Sequence, residues 1–182
     1  MGTRYHNVSI FHRSAHAFAI LNKYPYNNGH LLVIPRRHTA DFTSLNAEEL
    51  GDLHALLQTS VRLVREALPY MRAAGWGRIC CITSYTVKQP APVLALSNTA
   101  RTGLWAWIKT AAQDLAAESS GITLNMICPG PHATDRMKEL GGAGVMGDPA
   151  DFGSVVAFVC SAHAGFINGS AVVVDGGSTL AL

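Results

Sequence analysis

Residues 122–129, ITLNMICP, form a mostly apolar run that ends at a proline. A run of this length and composition is typical of a strand that is buried on both faces, as in a parallel sheet covered by helices. Two further apolar runs lie before and after it, GRICCIT at residues 77–83 and SAVVVDGG at residues 170–177. The three runs together predict three strands of a parallel sheet.

Helix signals alternate with these strands from Asn46 onward. Asn46 and Glu49 form a capping box for a long helix that includes residues 53–71, LHALLQTSVRLVREALPYM, where apolar side chains recur every three or four positions. Ser97 can cap a second long helix and Asp148 a third. This alternation requires crossover connections, so it predicts a parallel sheet with helices on its faces.

The N-terminal region reads differently. Two apolar runs, AFAILNKYP at residues 17–25 and HLLVIP at residues 30–35, flank an Asn-Gly pair, which indicates an antiparallel hairpin. We therefore predict the α/β class, as a Rossmann-like three-layer sandwich. Its mixed sheet would have three parallel strands and the hairpin at one edge.

Composition excludes several classes of protein. The chain has 182 residues, of which 48% are hydrophobic and 14% charged, and its net charge is +2, so neither disorder nor nucleic-acid binding is expected. No apolar run approaches the roughly 20 residues that a membrane helix needs. The four cysteines lie within apolar runs without metal-ligand spacing, which favours small core residues in a reducing compartment. We expect a cytoplasmic protein without a membrane or metal site.

Residues 24–38, YPYNNGHLLVIPRRH, resemble the N-terminal half of the histidine-triad nucleotide hydrolases and transferases. The resemblance covers roughly residues 5–57. It implies that Asn28 lies near the ribose and phosphates of a nucleotide and that His30 lies at the edge of that pocket. The His-x-His-x-His run that this family needs for nucleophilic attack on phosphate is absent from the sequence. The resemblance thus implies at most a nucleotide-binding module without hydrolysis, with an adenine nucleotide as ligand.

From about residue 59 to the end, the chain resembles the C-terminal half of the short-chain dehydrogenases/reductases. The resemblance rests on ALPYMRAAGWGRICCITS, GITLNMICPGPHATDR and DPADFGSVVAFVCS, which follow one another in the order typical of that family. It implies a nicotinamide dinucleotide, NAD(P), and hydride transfer. Ser84 takes the position of the serine that polarises the carbonyl group, and Pro129, Gly130 and Thr134 take positions that line the nicotinamide.

The same resemblance shows two departures in the catalytic set. The family's tyrosine and lysine positions hold Leu94 and Asn98, and leucine cannot donate a proton while asparagine carries no charge. Two replacements remain as alternatives, Tyr85 with Lys88 and Ser97 with Arg101.

A formal Gly-x-Gly-x-x-Gly, formed by Gly142, Gly144 and Gly147, does not follow a strand. It therefore lacks the context of a dinucleotide site. The glycine-rich half that binds the cofactor in the family has no counterpart in the sequence.

These observations lead to one main hypothesis and two alternatives. The main hypothesis is one composite domain over residues 1–182, a chimera of a part at 1–57 and a part at 58–182 joined within the first long helix. It would lack catalysis and any cofactor and would act as a binding or interaction protein. The alternatives are a reduced NAD(P)-dependent oxidoreductase and the nucleotide-binding module. The two long helices also predict a homodimer, because Trp105, Trp107 and Ile108 make the second helix apolar on more than one side.

Overall fold

The structure is a computed structural model that describes residues 10–13, 17–21, 31–35, 46–134 and 146–181. Its backbone falls into two compact units, residues 1–62 and residues 63–182. The composite single domain stays a prediction, since this division does not establish how the two units are arranged. The described helices and strands are β1 (Ile10–Arg13), β2 (Ala17–Leu21), β3 (Leu31–Pro35), α1 (Ala47–Ala74), β4 (Gly77–Ile82), α2 (Ala95–Ala117), β5 (Ile122–Pro129), α3 (Pro149–Val159) and β6 (Ala171–Val174).

The first unit contains an antiparallel sheet in the order β1-β2-β3. The predicted antiparallel pairing of β2 with β3 is present, with Ala17 opposite Pro35 and Leu21 opposite Leu31. β2 uses both of its edges within this sheet, one on β1 and one on β3. Among the described residues, none of these strands pairs with β4, β5 or β6. The predicted mixed sheet with a hairpin at its edge is therefore wrong, because the described N-terminal strands pair with one another in a separate sheet.

The second unit contains the predicted parallel sheet, in the order β4-β5-β6. Gly77 pairs with Ile122 at the start of the first ladder, and Met126 pairs with Ala171 at the start of the second. Long helices separate the strands in sequence, as parallel pairing requires. This unit has the Rossmann-like α/β arrangement that the sequence predicts.

Alternation along β5 divides the second unit into layers. The face that includes Leu124 and Met126 packs against Ile108 of α2 and Val64 of α1 in one apolar cluster. The intervening side chains point to the opposite face of the sheet. α3 contacts β4 and β5 and buries Phe152, Val156 and Val159. Because helices cover both faces, all residues of β5 from Ile122 to Cys128 are buried.

The helix starts agree with the sequence in two of three places. α1 begins directly after Asn46, and Asp148 caps α3 through a 2.8 Å hydrogen bond from the Ala150 N–H to its carboxylate. The predicted cap at Ser97 is wrong. A 3₁₀ turn at Pro92–Leu94 leads straight into α2, which therefore begins at Ala95.

α2 places its aromatic side chains at the edge of the core. Ile108 is buried, whereas Trp105 and Trp107 are only half-buried against the apolar cluster. Whether a second copy covers them is untested, so the homodimer stays a prediction. No helix in the described part of the chain is long and apolar enough to cross a membrane.

Candidate functional site at the C-terminal edge of the parallel sheet

The carboxyl ends of β4, β5 and β6 meet at one edge of the sheet, which is where parallel α/β folds usually bind ligands. Ser84 follows β4, Pro129 ends β5 and Asp175 follows β6. The first turns of α2 lie near the same edge, because the 3₁₀ turn after β4 packs against both α2 and β5. The sequence-predicted Ser84, Pro129 and Gly130 are thus brought to one side of the molecule.

Ser84 stands at the cap of the 3₁₀ turn Tyr85–Val87. Its Oγ accepts a hydrogen bond from the Thr86 N–H at 3.2 Å. A hydroxyl has one donor proton in addition to its acceptor lone pairs, so the proton of Ser84 remains able to donate to a ligand. Ser84 therefore has the geometry of a donor held in place by the backbone.

The thiol of Cys128, at the end of β5, is the common neighbour of several polar groups. It lies 3.5 Å from the hydroxyl of Thr83. Burial raises the pKa of Cys128, while the Thr83 hydrogen bond and the nearby charges of Lys88 and Arg101 act in the opposite direction. The thiol stays protonated and neutral, as the predicted role of a small core residue requires. Two cations nevertheless approach the point where β5 ends.

Arg101 is the unusual member of this group. It lies on α2, is partly buried, and burial lowers the pKa of its guanidinium. The neutral thiol of Cys128 lies near it, and no carboxylate or carbonyl pairs with Arg101 within the part of the chain that the structure describes. Buried charges are normally paired, because transfer from water into a protein interior is unfavourable. An unpaired cation beside a strand end is a feature of anion-binding and oxyanion-binding sites.

Leu94 and Asn98, which we predict at the positions of the family's tyrosine and lysine, precede Arg101 in the sequence. Leu94 is the residue before α2 and is 40% exposed. Asn98 donates from Nδ2 to the Ala91 carbonyl at 2.8 Å, and its Oδ1 is buried without a hydrogen-bond partner among the described residues. Neither residue can supply a proton at neutral pH. The buried acceptor of Asn98 is an unsatisfied position that a ligand hydroxyl would fill.

Close packing against the end of β6 explains why residue 130 is a glycine. Its N–H donates to the Val174 carbonyl at 2.9 Å, and an added Cβ would lie 2.4 Å from Cβ of Asp175. Gly130 is therefore required for close approach of two chain segments, whether or not it also faces a cofactor. Thr134 lies farther along the same loop, where its N–H donates to the His132 carbonyl at 2.7 Å.

Gly147 pairs with the same loop. Its N–H donates to the Pro131 carbonyl at 3.0 Å, and an added Cβ would lie 2.9 Å from the His132 ring. The close contact with His132 thus explains why residue 147 is glycine. Gly142 and Gly144 lie outside the described residues. Asn28 and His30, the predicted nucleotide contacts, also lie outside them.

The remaining cysteines behave as core residues. Hydrogen bonding to Cys160 and burial raise the pKa of Cys80, and burial raises the pKa of Cys81 to about 12. All four cysteines are free thiols. The described residues contain no group of three or more histidine, cysteine, aspartate or glutamate side chains that could hold a metal ion.

Comparisons with known proteins identify the family. A family model described as enoyl-(acyl carrier protein) reductase matches residues 30–179. Dehydrogenase/reductase SDR family member 4 of Sus scrofa is 30% identical over 146 residues, which are 72% of this chain and 52% of that protein. The chain belongs to the short-chain dehydrogenase/reductase family.

A bacterial relative and a solved structure agree with this assignment. The 3-oxoacyl-[acyl-carrier-protein] reductase FabG of Vibrio cholerae is 31% identical over 73% of this chain and 59% of its own length. The crystal structure of TT0495 protein from Thermus thermophilus is 31% identical and superposes with a TM-score of 0.64, covering 74% of this chain and 62% of that one. The chain therefore spans between half and two thirds of the length of these relatives.

The family assignment corrects two predictions. The matched region begins at residue 30 and runs through the expected join near residue 58, so the histidine-triad half and the chimera are wrong. The expectation of no cofactor is also wrong, because dehydrogenases/reductases of this family exchange a hydride with a nicotinamide dinucleotide. Membership favours the reduced oxidoreductase, which the sequence offered as an alternative, over the inactive interaction protein.

The described residues fit one end of such a cofactor. Asn98, which we predict at the position of the family's ribose-binding lysine, has a buried Oδ1 without a hydrogen-bond partner among the described residues. Pro129, Gly130 and Thr134, which we predict to line the nicotinamide, lie at the end of β5 and in the loop after it. The fit is therefore confined to the nicotinamide and its ribose, since no described residue forms a glycine-rich turn for a pyrophosphate.

Sequence reasoning gave Arg101 too little weight. It lies three residues after Asn98, which places both on the same side of α2. That spacing in the first turns of α2 was the available signal. Its lack of an acidic partner is visible only in three dimensions, and so is its approach to Cys128.

Proposed function

We propose that the protein is an oxidoreductase of the short-chain dehydrogenase/reductase family that uses Ser84 and Arg101 to polarise a substrate carbonyl. The observation that carries this proposal is the partly buried guanidinium of Arg101, which has no acidic partner in the described residues and lies beside the end of β5. A structural role would pair such a charge. A catalytic role uses it against the negative charge that develops on oxygen in the transition state.

Ser84 and Arg101 have different tasks in this proposal. Ser84, fixed by the Thr86 N–H, donates its hydroxyl proton in a hydrogen bond to the carbonyl oxygen. Arg101 stabilises the charge on that oxygen electrostatically, in surroundings where burial strengthens the interaction. Asn98 accepts a hydrogen bond from a ribose hydroxyl and so orients the cofactor.

When bound, a nicotinamide dinucleotide would supply the hydride for the carbonyl carbon. As the carbon–oxygen double bond becomes a single bond, the oxygen gains the electron pair and becomes an alkoxide held by Ser84 and Arg101. The alkoxide then takes its proton from water, which leaves hydroxide, because we predict Leu94 at the position of the family's tyrosine and leucine cannot donate a proton. The proposal thus keeps the electrostatic part of the family mechanism and replaces its proton donor by solvent.

An activity assay tests this proposal. Oxidation of NADPH and NADH at 340 nm is followed with a panel of ketones headed by a 3-oxoacyl thioester, because a relative is named as a 3-oxoacyl reductase. We expect measurable turnover that falls about 100-fold in Arg101→Met and in Ser84→Ala. Arg101→Lys should retain part of the rate, and Arg65→Met, which removes an exposed arginine of α1, should retain all of it.

Proton donation by water predicts a distinct pH dependence of kcat. Because no side chain of fixed pKa donates the proton, we expect kcat to show no ionisation of a tyrosine-like acid at high pH. The absence of any turnover, together with a melting temperature that millimolar NADPH or NADH does not raise, would refute the proposal. Equal loss of rate in Arg65→Met and Arg101→Met would also refute the role of Arg101.

A further inference from the structure

The opposite edge of the parallel sheet holds a cavity of about 590 Å³. β4 and β5 begin there, at Gly77 and Ile122, and Gly169 precedes β6. The second half of α2 forms one wall, with Lys109 and Gln113, and the segment that includes Phe166 forms another. A cavity of this volume lies within the range of small-molecule sites.

The charges along the cavity have one sign. Arg78 and Lys109 both line it, and none of the described residues that form its walls is acidic. Lys109 is exposed and donates from Nζ to the Gly169 carbonyl at 3.1 Å. Because an ammonium group has three donors, Lys109 keeps two for a ligand. The cavity is therefore suited to a negatively charged group.

Arg78 has a different part in the same cavity. Its guanidinium donates to three main-chain carbonyls, those of Ser161, Gly77 and Gly121, at 2.8 to 3.0 Å. The same group lies 5.1 Å from the ring centroid of Trp76. These contacts hold Arg78 rigid, so it contributes a fixed positive potential and positions the indole ring.

The cavity also has two exposed aromatic side chains. Trp76 is 50% exposed and Phe166 is fully exposed, although large aromatic residues are usually buried. Both line the cavity. Exposed aromatic rings next to cations favour a ligand with a flat apolar part.

Thr123 supplies an independent indication of a ligand. It lines the cavity from β5, it is only 4% exposed, and its Oγ1 is buried without a hydrogen-bond partner among the described residues. Its ladder partner is Arg78, so the two side chains lie on the same face of the sheet. A buried hydroxyl is normally hydrogen-bonded, and an unpaired one in a cavity wall is suited to a ligand oxygen.

We propose that this cavity at the N-terminal edge of the sheet binds a small aromatic carboxylate. Lys109 would pair with the carboxylate, and Trp76 and Phe166 would contact the ring. The site is separate from the catalytic edge, so binding is expected whether or not the protein reduces carbonyls.

Calorimetric titration with two matched probes tests the charge requirement. 2-Naphthoate carries the carboxylate, and 2-naphthamide has nearly the same shape without the charge. We expect naphthoate to bind about tenfold more tightly than naphthamide, since a charge-assisted hydrogen bond is stronger than a neutral one. Equal affinity of the two probes, or no heat of binding for either at millimolar concentration, would overturn the proposal.

Three variants assign the binding to this cavity. Lys109→Met should reduce the affinity for naphthoate to that for naphthamide. Phe166→Ala should weaken both probes by a similar factor, and since this side chain is fully exposed, its removal leaves the core intact. Lys88→Met removes a cation at the opposite edge and should change neither affinity. A loss of binding in Lys88→Met, with none in Lys109→Met, would place the ligand at the other edge and contradict the proposal.

Discussion

The two edges of the parallel sheet use their cations in opposite ways. At the N-terminal edge, Arg78 is tied to three carbonyls and Lys109 is open to an adjoining cavity. At the C-terminal edge, Arg101 is partly buried and has no partner in the described residues. The first arrangement stabilises the turns from which the strands start. The second leaves a partly buried positive charge without a partner in the described residues, and the proposed function places this charge next to the reacting oxygen.

The two edges also differ in the backbone conformation of the glycines at their turns. At the N-terminal edge, chain segments cross so closely that Gly121, with a φ of 69°, approaches the carbonyl of Gly75. At the C-terminal edge, Gly130 approaches Asp175 with an ordinary backbone conformation. A comparison of glycine-to-alanine substitutions at the two edges therefore separates backbone strain from crowding.

We expect the largest effect from Gly121→Ala. The added Cβ would lie 2.4 Å from the Gly75 carbonyl oxygen, and alanine is unfavourable at this positive φ. The two effects together should lower the free energy of unfolding by about 3 kcal/mol. Gly176→Ala is the matched control, because Gly176 has a φ of 62° and open space around it.

Urea denaturation of both variants measures the difference. Gly176→Ala should lose only the conformational part, about 1 kcal/mol. An equal loss of unfolding free energy in the two variants would contradict this prediction. It would mean that the close contact of residue 121 with the Gly75 carbonyl does not contribute to the destabilisation.

Gly130→Ala should have a smaller effect at the other edge. The new methyl group would meet Asp175 at Cα and Cβ without any strain from φ, so we expect a loss of about 2 kcal/mol. Gly153→Ala, inside α3 with no neighbour within reach, should instead raise stability by roughly 0.5 kcal/mol through helix propensity. Thermal unfolding followed by circular dichroism distinguishes the two, and a neutral Gly130→Ala would contradict the close approach of β5 and β6.

Arg101→Met tests whether the unpaired cation is a liability for folding. Removal of a partly buried charge without a partner should raise the free energy of unfolding by about 1 kcal/mol, while activity falls. Arg65→Met removes an exposed arginine and should change stability by less than about 0.5 kcal/mol. A clear destabilisation of Arg101→Met in chemical denaturation would show that Arg101 has a structural role, and the contrast between the edges would disappear.

The parallel sheet could be predicted from sequence because its signals are local. The apolar runs that became β4, β5 and β6 and the cap at Asp148 each report on one segment. Sheet pairing at the N-terminus is not local in this sense. The β2–β3 pairing was confirmed, but no local pattern indicates which further strand they pair with. In the described residues β2 also pairs with β1, and none of these strands pairs with the parallel sheet.

The candidate site was predictable in its parts and not in its assembly. Ser84 could be placed from the strand that precedes it, and Gly130 from the loop after β5. The approach of Arg101 to Cys128 depends on the packing of α2 on β5, and the cavity at the N-terminal edge of the sheet depends on three separate segments. The resemblance over residues 5–57 misled because a short motif was given the weight of a family, whereas the matched family extends from residue 30 to residue 179.

The smallest expected effect concerns Asp175, which fastens the turn after β6 at the C-terminal edge. Hydrogen bonds from Thr179 and Gly177 to its carboxylate lower the pKa of Asp175. A lowered pKa in the folded state stabilises the protein above the unfolded-state pKa of about 3.9, and this contribution is lost as pH falls through the folded-state pKa.

Asp175→Asn should therefore destabilise the protein by about 0.5 kcal/mol at pH 7, a value limited by solvent exposure of the turn, and by less at pH 3. Asp114→Asn, at an exposed position on α2, serves as the control in the same pair of urea titrations. A difference between wild type and Asp175→Asn that grew on acidification would reverse the expected sign. Such a result would mean that the hydrogen bonds within the turn do not stabilise the Asp175 carboxylate. The contact between Gly130 and Asp175 would then depend on the pairing of β5 with β6 alone.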